Sequence, residues 1–392
     1  MSDAYILAGC RTPVGKLLGS LASVPATYLG AMAVGEAVRR SGLPADRIEE
    51  VIMGCVLPAG LGQAPARQAA LRGGLPHSVA ALTINKVCGS GLKAVALAAQ
   101  AIRAGDAQAI VAGGMENMTR APFLLTGARE GWKFGAQQVT DSMQYDGLWC
   151  AFEDMAMGAE ADYIAAKRGV SRHDQDLFSV ESHARASAAT EAGKFDDEIV
   201  PVIIQGRKGD VRVERDEGPR GDTTLEVLAK LKPSFGADGT VTAGNASQIS
   251  DGAAALVVAS AEVARGIKSP LKARIVAAAT SGVAPKEIFI APVSAIEKVL
   301  DRAKLTLSDI DLVELNEAFA AQALACMRPL DLGPAKTNVN GGAIALGHPI
   351  GASGARVLVT LLYALADRGL KRGLASLCLG GGNAVAMIIE RE

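Results

Sequence analysis

Residues 85–95 read NKVCGSGLKAV and residues 348–358 read HPIGASGARVL, and the two stretches share a Ser-Gly pair at an offset of 263 residues. In both places the apolar residues that follow recur at helical spacing and the run ends at an arginine and a glycine, which predicts a helix. A second pair, at an offset of 262, is LPADRIEEVIMG at 43–54 and LTLSDIDLVELN at 305–316. The sequence therefore predicts two similar halves.

The first half contains an insertion. After each predicted helix a short apolar run ends in glycines, AIVAGGME at 109–116 and LASLCLGGG at 374–382. The second run leads directly into a last strand, whereas the matching strand of the first half, GAAALVVA, lies at 252–259. The predicted domains are an N-terminal half at 1–118 and 249–270, an inserted loop domain at 119–248, and a C-terminal half at 271–392.

The alternation of short apolar strands with amphipathic helices predicts the α/β fold class. Strands of this kind favour parallel sheets with helices on both faces. Two packed halves also create a central interface, and ligand sites commonly lie at such interfaces.

The composition narrows the class of protein. The chain has 392 residues, 49% hydrophobic and 21% charged, with a net charge of −1. This balance argues against a nucleic-acid partner, and we find no uninterrupted apolar run of the ~20 residues that a membrane span requires. Six cysteines without regular spacing do not indicate a disulfide framework. We expect a soluble protein of a reducing compartment, and hence a cytoplasmic one.

Cys88 and His348 are the first candidates for chemistry. Cys88 directly precedes a predicted helix, where unpaired N–H groups and the helix dipole favour a thiolate; alternatively it is a small buried side chain. His348 lies in a glycine- and proline-rich loop and corresponds, at the offset of 263, to Asn85. It could act as a base or an oxyanion donor, or simply bond to the backbone of a turn.

Cys378 and Asn316 are two further candidates, each at the end of a predicted strand. Cys378 precedes the glycines at 380–382, whose N–H groups can bind an anion, so its thiol could exchange a proton with a reacting carbon. The alternative is a buried strand residue. Asn316 could hold a water or a carbonyl oxygen, or cap the next helix.

Metal and dinucleotide sites are not predicted. The cysteines and histidine named above do not have the spacing of a compact zinc motif. Gly347, Gly351 and Gly354 do not match the dinucleotide-binding pattern, and no suitable acidic residue follows them.

Eight longer motifs complete the pattern. They are RTPVGKLLGSL (11–21), NKVCGSGLKAV (85–95), AGGMENM (112–118), KLKPSF (230–235), GTVTAGNASQISDGAAA (239–255), NEAFAAQ (316–322), NVNGGAIALGHPIGASGAR (338–356) and CLGGG (378–382). Together they resemble the thiolase family of acyl-CoA C-acyltransferases. The resemblance implies a layered, thiolase-like fold of two βαβαβαββ halves with an inserted loop domain, and a dimer or tetramer.

The resemblance also implies roles for the candidate residues. Cys88 matches the nucleophile that accepts the acyl group, and Cys378 matches the acid and base at the substrate α-carbon. His348 would activate Cys88 and help to hold the enolate oxygen, together with a water positioned by Asn316. The backbone N–H groups of Cys88 and Gly380 match a second oxyanion hole, since the acyl-enzyme needs one of its own.

By the same resemblance, acyl-CoA and CoA are substrates and no separate cofactor is expected. The positions that match CoA contacts are Met157, Arg220, Phe235, Ser247, Ala318 and Phe319. The inserted segment carries cations that could attract the CoA phosphates, or simply be solvated: Arg207, Lys208, Arg212, Arg215, Arg220, Lys230 and Lys232.

The sequence departs from the family pattern in three places near the expected acyl or pantetheine pocket. Asn383-Ala384 follows the glycine triplet, where Met-Gly is usual. Ala156 stands where short-chain acetoacetyl-CoA thiolases commonly have a histidine, and residues 287–292 read EIFIAP instead of the familiar MGxGP.

Three functions remain open at this point. The leading hypothesis is acetyl-CoA acetyltransferase activity, the reversible condensation of two acetyl-CoA. The missing histidine at position 156 favours the second, a degradative 3-ketoacyl-CoA thiolase of broader chain length. The third is a non-catalytic acyl-CoA-binding relative, against which the presence of Cys88, Asn316, His348 and Cys378 together argues.

Overall fold

The computed structural model of the chain describes residues 3–206 and 209–392. Its strands are β1 (Ala4–Arg11), β2 (Gly15–Lys16), β3 (Glu50–Gly54), β4 (Ala80–Ile84), β5 (Ala109–Asn117), β6 (Phe123–Leu124), β7 (Thr140–Asp141), β8 (Trp149–Cys150), β9 (Met155–Ala156), β10 (Val202–Ile204), β11 (Val211–Val213), β12 (Ser250–Ser260), β13 (Ala273–Gly282), β14 (Leu312–Leu315), β15 (Arg372–Leu379) and β16 (Asn383–Arg391). Its α-helices are α1 (Ala26–Ser41), α2 (Pro65–Arg72), α3 (Ser90–Ala104), α4 (Met157–Arg168), α5 (Arg172–Glu191), α6 (Leu225–Ala229), α7 (Ala261–Arg265), α8 (Ala291–Ala303), α9 (Ala320–Met327), α10 (Ala343–Leu346) and α11 (Ile350–Asp367).

One mixed sheet runs through both halves. Its strand order is β14-β15-β16-β13-β1-β12-β5-β3-β4, and β2 pairs with β12 at one end. β3 is parallel to β4 and β5, and β14 is parallel to β15, whereas the pairs from β5 through β12, β1, β13 and β16 to β15 are antiparallel. The prediction of parallel sheets is therefore right for the outer strands and wrong for the centre. A turn of three glycines joins β15 to β16, and so short a connection permits only antiparallel pairing.

The order of strands repeats in the two halves, which confirms the predicted duplication. β1-β12-β5-β3-β4 in the first half corresponds to β13-β16-β15-β14 in the second. The halves join where β1 pairs with β13, at Tyr5–Arg274 and Ile6–Ala273. The counterpart of β4 in the second half is reduced to a single bridge between Val313 and Thr337.

The predicted helices of the repeat are α3 and α11, and they cross inside the molecule. Both contribute to one core with strands from the two halves. A Cβ on Gly91 would lie 2.6 Å from the backbone nitrogen of Ala355, and one on Gly354 would lie 2.3 Å from that of Leu92. Because any side chain there would force the helices apart, the repeated Ser-Gly pair marks their closest approach, and the loops that precede the two helices are brought together.

The remaining helices cover the outer faces of the sheet. α1 and α2 pack on the strands of the first half, and α8 packs on those of the second. Between β5 and β12 the chain forms β6 to β11 and α4 to α6, which is where the inserted domain is predicted; the three domain boundaries stay predictions. Among the described residues, α11 alone is long and apolar enough to span a membrane, but most of it is buried in the core, as a core helix would be.

Candidate active site

Cys88 lies in the turn between β4 and α3. Val87 has a φ of +46°, a left-handed conformation that strains a β-branched residue. Two side chains hold it there: Asn85 Oδ1 accepts the N–H of Val87 (2.9 Å), and Ser90 Oγ accepts the N–H of Lys86 (2.8 Å) while donating to the Val87 carbonyl (2.7 Å). This turn places the Cys88 thiol just before the start of α3.

Burial raises the pKa of the Cys88 thiol to about 12, although two donors act in the opposite direction. These donors are the backbone N–H groups of Cys88 itself and of Gly380. The thiol is therefore protonated at neutral pH and needs a base before it can attack a carbonyl. The two N–H groups are the pair that the resemblance assigns to an oxyanion hole.

His348 is neutral and can therefore accept a proton. Burial, reinforced by the charge of Arg356, lowers its pKa to about 3, so the imidazole is neutral. Ser353 donates its hydroxyl proton to the Pro349 carbonyl (2.9 Å), so its oxygen accepts from His348 Nδ1 (2.6 Å). Nδ1 thus carries the ring proton, and Nε2, which has no partner among the described residues, keeps a free lone pair.

Cys378 is buried near the end of β15, before a turn of three glycines at 380–382. Gly381 and Gly382 have φ of +78° and +82°, which glycine adopts without strain. A Cβ on Gly89 would lie 2.2 Å from Leu379 Cδ2, so the turn before α3 and the end of β15 are in close contact. Burial raises the pKa of Cys378 well above its usual value, and the neighbouring Cys88 adds to the shift.

These groups meet at one cavity of about 360 Å³. Its wall includes nine of the predicted site residues: Cys88, Met157, Phe235, Ser247, Ala318, Phe319, His348, Cys378 and Gly380. The segment 245–247 brings three of them together, because Ala246 bridges to Phe319 and the N–H of Ser247 bonds to the Ala318 carbonyl (3.0 Å). Phe235 packs edge-on against Phe319, with ring centroids 6.4 Å apart.

Asn316 and Arg220 are not part of the described cavity wall. Asn316 follows β14 and is buried, and neither polar atom of its side chain has a partner among the described residues, which leaves both free for a water. Arg220 is exposed, and its backbone N–H bonds to His183 Nδ1 (3.2 Å). Arg207 and Lys208, two of the cations expected near CoA, lie outside the described residues.

Comparison with known families covers almost the whole chain. The thiolase N-terminal domain matches residues 4–262, and the thiolase C-terminal domain matches residues 269–391. The chain belongs to the thiolase family. The family resemblance of the motifs is thereby confirmed, while the roles of the individual site residues stay predictions.

Full-length thiolase relatives and a solved thiolase structure agree with this assignment. Acetyl-CoA acetyltransferases of Pseudomonas aeruginosa and Cupriavidus necator are each 53% identical over 393 residues and cover 100% of both chains. A probable acetyl-CoA acyltransferase of Staphylococcus aureus (strain COL) is 51% identical over 392 residues, again with full coverage of both. The crystal structure of the Bacillus anthracis acetyl-CoA acetyltransferase superimposes with a TM-score of 0.97 at 42% identity, covering 100% of this chain and 99% of that one.

Two of the three segments that depart from the thiolase pattern contribute residues to the cavity wall. Ala156 lies in its wall, as do Ile288 and Phe289 of the EIFIAP segment. Asn383 and Ala384 are not among the described wall residues. Sequence reasoning flagged the EIFIAP segment as unusual but did not name Phe289 as a site residue, because its contact with Phe319 depends on the packing of α9 (ring centroids 5.2 Å apart).

Proposed function

We propose that this thiolase is an acetyl-CoA acetyltransferase, which joins two acetyl-CoA into acetoacetyl-CoA and CoA and catalyses the reverse thiolysis. The observation that carries the proposal is the meeting of two cysteine thiols with the free Nε2 of a neutral histidine at one cavity. The names of the relatives support the same activity.

The first half-reaction transfers the acetyl group to Cys88. His348 Nε2 takes the thiol proton, and the Cys88 sulfur attacks the thioester carbonyl carbon. The tetrahedral oxyanion that forms is stabilised by the N–H groups of Cys88 and Gly380. The C–S bond to CoA then breaks, and the leaving CoA thiolate takes the proton of Cys378, which becomes a thiolate.

The second half-reaction forms the carbon–carbon bond. The Cys378 thiolate removes a proton from the α-carbon of the second acetyl-CoA, and the enolate oxygen is held by His348 and a water on Asn316. The enolate carbon attacks the acetyl carbon on Cys88, and the Cys88 sulfur leaves and recovers its proton from His348. The raised pKa of Cys378 suits the removal of the α-carbon proton, because its thiolate, once formed, is a strong base.

The CoA moiety would lie along the wall formed by Met157, Phe235, Ser247 and the Ala318–Phe319 segment. We further propose that Arg220 contacts the adenine portion of CoA from the exposed rim. We also propose that the protein is cytoplasmic and forms a homodimer or a homotetramer.

Acylation of Cys88 is the direct test of this function. The purified protein is mixed with 3-ketoacyl-CoAs of increasing length, and intact mass and peptide mapping locate any acyl group. We expect one acetyl group on the peptide that contains Cys88. Binding of CoA without acylation by any substrate would contradict the proposal and favour the non-catalytic acyl-CoA-binding alternative.

Phe289 favours a short acyl chain over the broader specificity of a degradative thiolase. Its ring is 2% exposed, lies in the cavity wall and belongs to the same apolar cluster as Cys378. Packing against Phe319 fixes the ring, so we propose that it limits the space for an acyl group beyond two carbons.

Phe289→Ala should therefore raise kcat/KM for 3-ketohexanoyl-CoA relative to acetoacetyl-CoA by about tenfold or more, since a methylene in an apolar pocket contributes roughly 10–200-fold. Steady-state thiolysis with both substrates measures the ratio. Ile290→Ala is the matched control, because Ile290 packs on the same cluster but is not part of the described cavity wall. If Phe289→Ala leaves the ratio unchanged, another group sets the chain length.

A further inference from the structure

Glu116 is a buried carboxylate to which the mechanism above assigns no part. It lies near the end of β5 and is fully buried. Its oxygens accept three backbone N–H groups, from Val56 (3.0 Å), Leu57 (3.1 Å) and Gly351 (2.9 Å). The Cys55 thiol also points to it, with Sγ 3.7 Å from Oε1.

The three N–H groups belong to segments that support the two catalytic loops. On one side, the Val56 carbonyl accepts from Asn85 Nδ2 (3.4 Å), and Asn85 holds the strained turn at Cys88. On the other side, Gly351 lies in the first turn of α11, three residues after His348. One carboxylate thus connects the Cys88 turn of the first half with the His348 loop of the second.

The backbone around Gly351 is packed too closely to move independently. A Cβ on Gly351 would lie 2.6 Å from Glu116 Oε2. A Cβ on Gly114 or Gly54 would lie 2.0 Å or 2.7 Å from the Gly351 carbonyl oxygen. The start of α11 therefore packs directly against β3 and β5. Glu116 accepts the N–H group of Gly351, which has no hydrogen-bond partner within the helix because it lies in the first turn.

We propose that Glu116 is a positioning residue that holds the Cys88 turn and the His348 loop in register across the junction of the two halves. The proposal rests on the roles given to Cys88 and His348 under the proposed function. Three backbone N–H donors from the two segments converge on the two oxygens of this one side chain, so the segments are held at a fixed spacing.

Glu116→Gln is the variant that tests the proposal. The amide keeps one acceptor oxygen but turns an NH₂ group toward backbone N–H donors, so at least one segment must shift. We expect kcat of acetoacetyl-CoA thiolysis to fall about 10²-fold, as a misplacement of about 1 Å does, with KM for CoA changed less than threefold. A kcat within threefold of wild type would overturn the proposal.

Asp251→Asn is the matched control. Asp251 is also a buried carboxylate, on β12, and it accepts the backbone N–H (3.0 Å) and hydroxyl (2.7 Å) of Thr119. We expect both variants to lower the melting temperature, while Asp251→Asn keeps kcat within threefold of wild type. An equal loss of kcat in the control would show that Glu116 acts only through stability.

Two measurements on the wild-type protein complete the test. Hydrogen exchange should be slow at the amides of Gly351 and Val56; fast exchange at Gly351 would overturn the proposal even if Glu116→Gln does not fold. Acylation of wild-type Cys88, followed by intact mass, separates the two proposals. If wild-type Cys88 is not acylated, the proposed function is wrong. If wild type and Glu116→Gln are acylated at equal rates, only the positioning role of Glu116 is contradicted.

Discussion

Cys88→Ala should abolish acetylation of the protein and lower the rate of acetoacetyl-CoA thiolysis by at least about 10⁴-fold. The physical reason is that alanine has no thiol to attack the thioester carbonyl, so no acyl-enzyme can form. Intact mass after mixing with acetyl-CoA, together with the loss of acetoacetyl-CoA absorbance, measures both effects.

Cys10→Ala is the matched control for this experiment. Cys10 is also a free cysteine; it is buried on β1, and its thiol donates to the Ala33 carbonyl (3.3 Å). It lies outside the described cavity wall, so its loss should leave acetylation intact. Thiolysis at the wild-type rate by Cys88→Ala would remove Cys88 from the mechanism.

Cys378→Ala should separate the two half-reactions. Cys88 and His348 remain, so the protein should still become acetylated, although more slowly because the leaving CoA loses its proton donor. Condensation and thiolysis should fall by at least about 10³-fold, since no group is left to move the α-carbon proton. Exchange of the acetyl-CoA methyl protons in deuterated water, followed by mass spectrometry, isolates this step.

Cys326→Ala serves as the control for Cys378. Cys326 is a buried cysteine on α9 that belongs to a different apolar cluster from Cys378, and it is not among the described wall residues. Its variant should exchange methyl protons at the wild-type rate. Undiminished exchange in Cys378→Ala would show that another group acts as the base.

Local patterns predicted the parts of the fold that depend on neighbouring residues. The Ser-Gly repeat at Gly91 and Gly354 predicted two equivalent helices, and both glycines lie at the helix crossing. The antiparallel pair β15–β16 could have been predicted from the three-glycine turn that joins the two strands. The pairs of β1 with β12 and β13 and of β12 with β5 could not, because these strands are distant in the chain.

The site could be predicted only in part for a similar reason. Cys88, His348 and Cys378 stand in distinctive glycine-rich motifs, and all three line one cavity. Glu116 stands within a recognised motif, but its function depends on N–H groups about 60 and 235 residues away in the chain. Distant partners of this kind leave no local signal in a sequence.

The crossing of α3 and α11 also explains why a duplicated chain has one reaction centre instead of two. At the offset of 263, the position equivalent to Cys88 is Gly351, and the position equivalent to His348 is Asn85. Two identical copies would have placed two equivalent nucleophiles beside this one helix crossing. The two halves differ instead: the first carries the sulfur, and the second has at the same position a glycine, whose N–H donates to Glu116.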